Sequence, residues 1–341
     1  MLKQFYLFAC LVLGTFALQA QDVHFSQYFA SPLMLNPANT GNFNGDFRAQ
    51  AIYRNQFFGE FGTSHATYAS YSGSFDMALL RGKINLDQLG VGALFYVDKS
   101  GSGSLLTTNV AASVAYHKVL DQYNRHSLSF GVQAGIMHKR IDFTKLTFEE
   151  QYNESIDDFD PTQLTGEGAT NSSNLAPIVN AGVLWRSRFG KKLNAYAGFT
   201  YANINRPKET FLNNSSNRLE SRFLAHGGLN FRVGKYVTLS PGFMFQTQSA
   251  AREATAGLTF GYSISDNSSV YFGTYYRIKD AIIPMVAYEI SSFRIGASFD
   301  ATVSDLRSAN SSKGAFELSL IYIHNNQPDR EFSPVKFCPR F

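Results

Sequence analysis

The chain has 341 residues and a formal net charge of +4, with 16% of residues charged, against about 25% in an average soluble protein. A charge balance this small leaves no electrostatic footprint for nucleic acid. Aromatics reach 15%, as 31 Phe, 18 Tyr and 1 Trp, yet no stretch beyond the leader approaches the roughly 18 uninterrupted apolar residues of a spanning helix.

Residues 1–20 read as a secretory signal: Lys3 gives the positive start, Phe5 to Phe16 the apolar run, and Ala20 the small residue before cleavage at Gln21. Cys10 lies inside that run, where more apolar chain follows, so a lipid-anchored start at this cysteine is disfavoured. Cleavage leaves Cys338 as the single thiol and excludes an internal disulfide.

Residues 21–45 follow, carrying the stretch "HFSQYFASPLMLNPANTG" from His24. It has neither helical nor alternating periodicity. Pro32 and Pro37 stiffen it, and Phe25, Tyr28, Phe29, Leu33 and Leu35 call for burial. Together with His24 and Asn36 they define a candidate plug or collar. Because the segment precedes the first strand, it is expected to start at the periplasmic mouth and fold against the lower wall. The alternative is a docking peptide that orders on a partner.

From residue 46 to 325 the chain alternates. In "SRFLAHGGLNFRV", Phe223, Ala225, Leu229, Phe231 and Val233 share one face and Arg222, His226, Asn230 and Arg232 the other. "EATAGLTFGYSI", "FRIGASFDATV" and "AFELSLIY" repeat the pattern from Glu253, Phe293 and Ala315. With weaker segments near Asp46, Ser64, Gln88, Thr107, Arg125, Pro177, Lys192, Tyr236, Ser269 and Ala281, this gives about fourteen strands of roughly 9 to 14 residues; a tilted spanning strand needs about 9 to 11. Pro241 and Pro284 each remove a ladder donor, so a bulge or a late start is expected at both. The short connections "RFGKK", "RVGKY", "ISDNS" and "EISSF" fall in one parity class, with "MALLRGKINLDQ" as its long exception. The long connections, Ile141 to Ala176, Ile204 to Glu220 and Ser304 to Lys313, fall in the other. That sorting fits an all-β, transmembrane antiparallel barrel in the outer membrane, with a periplasmic tail over residues 326–341.

A barrel of that size has a lumen too wide for side chains alone to fill, which is why the N-terminal segment is read as its plug. Arg48, Arg54, Arg294, Asp300 and Glu317 point inward near the closing seam, as one ion-pair network or as separately hydrated charges. The long loop after Leu146 holds Glu149, Glu150, Glu154, Asp157, Asp158 and Asp160 without a Lys or Arg. It is an outer loop that could attract a basic partner or, through "DDFDP", hold calcium; a merely solvating loop explains it as well. No His-Glu-x-x-His, no Gly-x-Ser-x-Gly elbow and no phosphate loop is present, so neither catalytic residues nor cofactors are assigned.

The stretches "DVHFSQYFASPLMLNPANTGNFNGDFR", "YRNQF", "LGVGALFYVDKSGSG", "KLTFEEQYN", "YRIKDAIIP", "GAFELSLIYI" and the terminal "CPRF" resemble the PorP/SprF family of the type IX secretion and gliding-motility machinery. The resemblance runs from about Asp22 to Phe341, essentially the whole mature chain. It implies a non-enzymatic outer-membrane barrel that supports secretion, retention or surface display of proteins such as adhesins. The implied partners are cargo with a C-terminal sorting domain, periplasmic or outer-membrane secretion components, and the bilayer. A channel for small hydrophobic solutes, with the N-terminal segment as a movable plug, is the competing reading.

Overall fold

The structure is a computed structural model and describes residues 24–56, 68–84, 86–101, 103–153, 155–160, 162–163, 173–209, 217–305 and 307–325. The leader, residues 326–341 with Cys338, and Glu154 lie outside the described residues.

Fourteen antiparallel strands close into one barrel. They are β1 Phe47–Gln56, β2 Tyr68–Ile84, β3 Asp87–Ser100, β4 Leu105–Val119, β5 His126–Arg140, β6 Ser173–Phe189 and β7 Leu193–Ala202. The second half comprises β8 Arg222–Val233, β9 Val237–Gln248, β10 Ala251–Ser265, β11 Ser268–Arg277, β12 Ala281–Ile290, β13 Phe293–Thr302 and β14 Lys313–His324. Each strand pairs with its sequence neighbours, and β1 pairs with β14, Arg54 opposite Glu317, to seal the wall. Closure leaves no strand edge, the condition a sheet must meet in hydrocarbon, where an unpaired N–H or C=O has no water to bond.

Alternation sets the two faces. Along β8, Phe223, Leu229, Phe231 and Val233 are 42–45% exposed, while Leu224 and His226 are at most 4% exposed. On β10 Leu258, Phe260, Tyr262 and Ile264 face out, and Thr255 and Thr259 face in. The outward rings and aliphatic chains make the apolar band that a bilayer covers; among the described residues no helix is long and apolar enough to span one.

Several sequence expectations need correction. "MALLRGKINLDQ" is no long connection: β2 runs on to Ile84 and β3 starts at Asp87, so every connection at that end is short. Residues 173–176, counted in the preceding loop, are already strand. Neither Pro241 nor Pro284 carries a bulge or a late start. Pro241 pairs with Leu258 in continuous register, and only its pairing with β8 lapses around Leu229–Asn230. Pro284 likewise pairs with Thr274 and loses contact only on the β13 side. A proline costs one donor on one edge, and the other edge holds it in place. The register shifts fall elsewhere, at Ser263/Ser265, at Asp300/Ala301 and between Leu79 and Ile84.

Residues 24–46 do not lie at a mouth; they cross the lumen. Asp46 N–H donates to the His324 carbonyl at the short-turn end. His24 instead reaches Glu253, the third residue of β10, at the long-loop end. The expected start at the short-turn mouth is therefore reversed. Asp46 sits where β1 begins, and the preceding residues climb away from it inside the barrel.

Candidate functional site: the occupied lumen

The inner segment is built from short turns because its prolines forbid anything longer. Tyr28–Ala30 and Pro37–Asn39 form single 3-10 turns, and Pro32–Leu35 forms one α turn with Pro32 at its start. Proline suits a first helical position, where its missing N–H would have no partner. Asn36 caps the last turn through Oδ1, which accepts the Ala38 N–H at 2.9 Å. Its Nδ2 donates to the Val183 carbonyl at 3.0 Å and lies 3.2 Å from His226 Nε2. Leu33, Asn36, Ala38, Thr40 and Phe43 have no exposed surface at all.

Two charged clamps hold the segment, one toward each end. Toward the long loops, Glu317 accepts the backbone N–H groups of Ser26 at 2.7 Å and Gln27 at 2.8 Å, and Arg54 at 2.5 Å. Ser26 Oγ donates to Asp300 at 2.7 Å and accepts from Arg54 and Arg277. Arg54 and Arg277 each also pair with Asp300, at 3.1 and 3.0 Å. His24 adds a 2.7 Å contact to Glu253. Four charged side chains from β1, β11, β13 and β14 thus converge on one serine, and the His24–Glu253 pair adjoins them through Arg277, 3.8 Å from Glu253. Buried charges persist only when paired and hydrogen-bonded in this way.

Toward the short turns, Arg48 grips Asp76 with two bonds of 2.9 and 2.8 Å and donates to the Asn39 carbonyl at 3.1 Å. Asp76 also accepts the Gly41 N–H at 2.7 Å, and Gln88 donates to the Gly41 carbonyl at 2.6 Å. His117 donates from Nε2 to the Thr40 carbonyl at 2.8 Å, while its Nδ1 faces Ser129 Oγ at 2.7 Å. Between the clamps, apolar packing joins the polar contacts made by Asn36 and by the Leu35 carbonyl, which accepts from Thr200 at 2.9 Å. Phe25, Tyr28, Phe29 and Leu35 pack with Leu224, Met244, Tyr275, Ile283 and Met285, and Tyr28 meets Tyr275 edge-on at 6.0 Å.

The wall makes room by leaving side chains out. A Cβ on Gly90 would stand 2.0 Å from the Thr40 carbonyl oxygen, and one on Gly131 2.3 Å from the Pro37–Ala38 backbone. These glycines allow the close approach of one backbone to another.

Of the five inward charges singled out in the sequence, three meet: Arg54, Asp300 and Glu317. Arg48 belongs to the other clamp, and Arg294 pairs with Glu289 near the short-turn end, over the Tyr271 ring. One network of all five is therefore incorrect, because Arg48 and Arg294 lie toward the opposite end of the lumen from the other three. Sequence reasoning missed Arg277, Glu253, Asp76 and Ser26. Inward parity marks the three charged ones, but partners more than twenty residues apart are not paired by any local spacing. His24, Phe25, Tyr28, Phe29, Pro32, Leu35, Asn36 and Pro37 all lie in the lumen-crossing segment.

In the long loop, Glu149 and Glu150 sit in a 3-10 turn ahead of a small hairpin, Tyr152–Asn153 against Asp158–Phe159. Asp157 accepts from the Tyr152 hydroxyl, Asp158 from the Phe159 N–H and Asp160 from Thr162. These carboxylates serve their own turns, and among the described residues no three acidic, His or Cys groups gather as a metal site.

A closed fourteen-stranded wall with lipid-facing apolar side chains and a polar, occupied interior defines an outer-membrane β-barrel. Residues 17–322 match the family described as "Type IX secretion system membrane protein PorP/SprF", and the chain belongs to that family. No curated protein matches it in sequence. Among solved structures it is similar to the Ralstonia pickettii toluene transporter TbuX, at 11% identity and a TM-score of 0.49, covering 87% of this chain and 94% of that one. A Pseudomonas aeruginosa FadL homologue is similar at 10% identity and a TM-score of 0.46, covering 84% and 92%. The translocator domain of the autotransporter NalP from Neisseria meningitidis follows at 11% and 0.45, covering 85% and 93%. Likeness at these levels says nothing of what this chain binds or moves.

Proposed function

We propose that the protein is a closed scaffold of the secretion system, which retains or displays exported cargo bearing a C-terminal sorting domain rather than conducting it. The observation that carries this reading is the lumen-crossing segment, hydrogen-bonded or packed against the wall from β1 round to β14. A route for a folded protein through this barrel would require both charged clamps to open. Its usable surfaces are then its two ends. The long-loop end, with Glu149, Glu150, Asp157, Asp158 and Asp160, faces the cell exterior and meets cargo; the short-turn end faces the periplasm and meets other secretion components. Export through cleavage after Ala20 belongs to the same reading. Deleting the gene and labelling surface proteins tests it. Loss of one or several sorting-domain proteins from the surface is the expected result, and an unchanged surface proteome overturns it.

A second reading, a channel for small hydrophobic solutes, has one observation in its favour. A cleft lined by Phe25, Met34, Leu35, Leu224 and Met244 lies between the segment and the β8–β9 wall. Impaired solute uptake with intact surface proteins would select it.

A further inference from the structure

The short-turn end of the barrel is electrically lopsided. Strand ends and turns over residues 117–126, 183–196 and 229–240 hold eight Lys and Arg against one acid, Asp121. That acid is committed, because its carboxylate accepts the N–H groups of Arg125 and His126 at 2.7 and 2.8 Å. Lys118 is likewise committed, to Asp87 at 2.8 Å. Arg125, Arg188, Lys191, Lys192, Arg232 and Lys235 face no carboxylate among the described residues. Pairing brings them together. Arg188 N–H donates to the Arg125 carbonyl at 2.8 Å and Arg232 N–H to the Lys192 carbonyl at 2.8 Å, so three successive turns form one basic arc.

Inside this arc lies a cavity lined by Gln88, His117, Arg125, Ser127, Arg186 and Arg188. Its position is specific: His117 is the residue that holds the Thr40 carbonyl, so the cavity adjoins the inner segment. Gln88 lines the same cavity and is 2% exposed, and its Oε1 accepts no hydrogen bond. A buried amide oxygen left without a donor costs about 1–3 kcal/mol.

We propose that this vestibule binds an acidic peptide segment of a periplasmic protein. Carboxylates match the arginines, and backbone N–H groups match the open Gln88 acceptor, which a phosphate ester lacking donors does not. A lipid headgroup in the bilayer reaches only outward faces, whereas Gln88, His117, Ser127 and Arg186 occupy the inward parity. The chain's own tail is a poor occupant by charge, since residues 326–341 hold three basic and two acidic side chains. The inference rests on the short-turn end being periplasmic, as in the scaffold reading, but binding is measured without reference to secretion, so the two fail separately.

The test uses the full chain in nanodiscs of zwitterionic lipid and a fluorescein-labelled oligoglutamate peptide, read by anisotropy. Affinity should fall about tenfold or more between low and moderately high salt, as screening shortens the reach of the charges. Replacing Arg186, Arg188, Lys191 and Lys192 by Gln should weaken binding more than about thirtyfold, whereas Arg252→Gln at the opposite end should leave it within about twofold. Should the fourfold variant not fold, Arg188→Gln alone should cost about threefold or more. No binding by the native chain, or equal binding by the variants, overturns the proposal. So does competition by inorganic phosphate at equal charge concentration, or stabilisation by anionic-lipid nanodiscs where the peptide has no effect.

Discussion

Glu317→Gln isolates the upper clamp. The native carboxylate accepts two backbone N–H groups of the segment and one guanidinium nitrogen of Arg54. The amide keeps the shape, removes the charge and leaves one oxygen for three donors. Breaking a buried pair by removing one partner costs about 3–5 kcal/mol, and an orphaned N–H adds about 1–3 kcal/mol where no water reaches it. Asp300 still holds Arg54 and Ser26, so part of that loss is recovered. A net weakening of about 3 kcal/mol corresponds to a shift of roughly a hundredfold in the balance between docked and released segment. Hydrogen exchange of the peptide covering residues 24–31 is the assay, since its amides are protected only while docked. It should accelerate about a hundredfold, while amides of β4 and β5, on the far wall, stay unchanged. Glu289→Gln, which breaks the separate pair with Arg294, should leave residues 24–31 protected. If both variants behave alike, or neither alters the segment, the clamp does not hold it and the argument for a closed lumen fails.

Gly131→Val places a branched side chain where even a Cβ would stand 2.3 Å from the Pro37–Ala38 backbone; planar-bilayer recording should register openings that the native barrel lacks, with the heat-modifiable barrel band retained on gels. Tyr275→Ala removes the 1%-exposed ring that packs on Tyr28 and Phe29, at a cost of about 3–5 kcal/mol, seen as a lower unfolding temperature in detergent. In the turn after β4, burial acts to raise the Asp121 pKa, but the N–H groups of His126 and Arg125 more than offset it and hold it below its ordinary 3.8. A depressed carboxylate stabilises at pH above its unfolded value, and that contribution disappears as pH falls through the folded one. Protection of residues 120–126, taken relative to the intrinsic exchange rate at each pH, should therefore fall below about pH 4 in the native chain, and Asp121→Asn should abolish that fall.

Sequence alone revealed the barrel because the lipid boundary imposes a period of two on every strand, and Phe223, Phe231, Leu258 and Phe260 record it directly. It also revealed that the His24–Gly41 stretch needed burial, since Phe25, Tyr28 and Leu33 have no apolar face of their own to share. It did not reveal the direction of that stretch. Nothing local tells His24 that its partner is Glu253, and a segment with three separate turns has no axis legible from periodicity. The charge network failed for the same reason. Arg48 and Arg54 share a face of β1, yet six residues of strand rise by about 20 Å, which places them in different layers of the lumen. Proline was over-read: at Pro241 and Pro284 the rule that a ladder donor is lost holds, but its cost is confined to one edge.

Ser26 and Gln27 precede every strand of the barrel, and their partners Ser298, Asp300, Glu317 and Ser319 lie on its last two strands. The same late strands provide the hydrogen bonds that zip β14 onto β1. Ring closure and the capture of the N-terminal residues are thus a single topological event. The early chain must wait, unsatisfied, until the final hairpin arrives, and an assembly factor guarding that interval would find its substrate in an open sheet with a loose leading end.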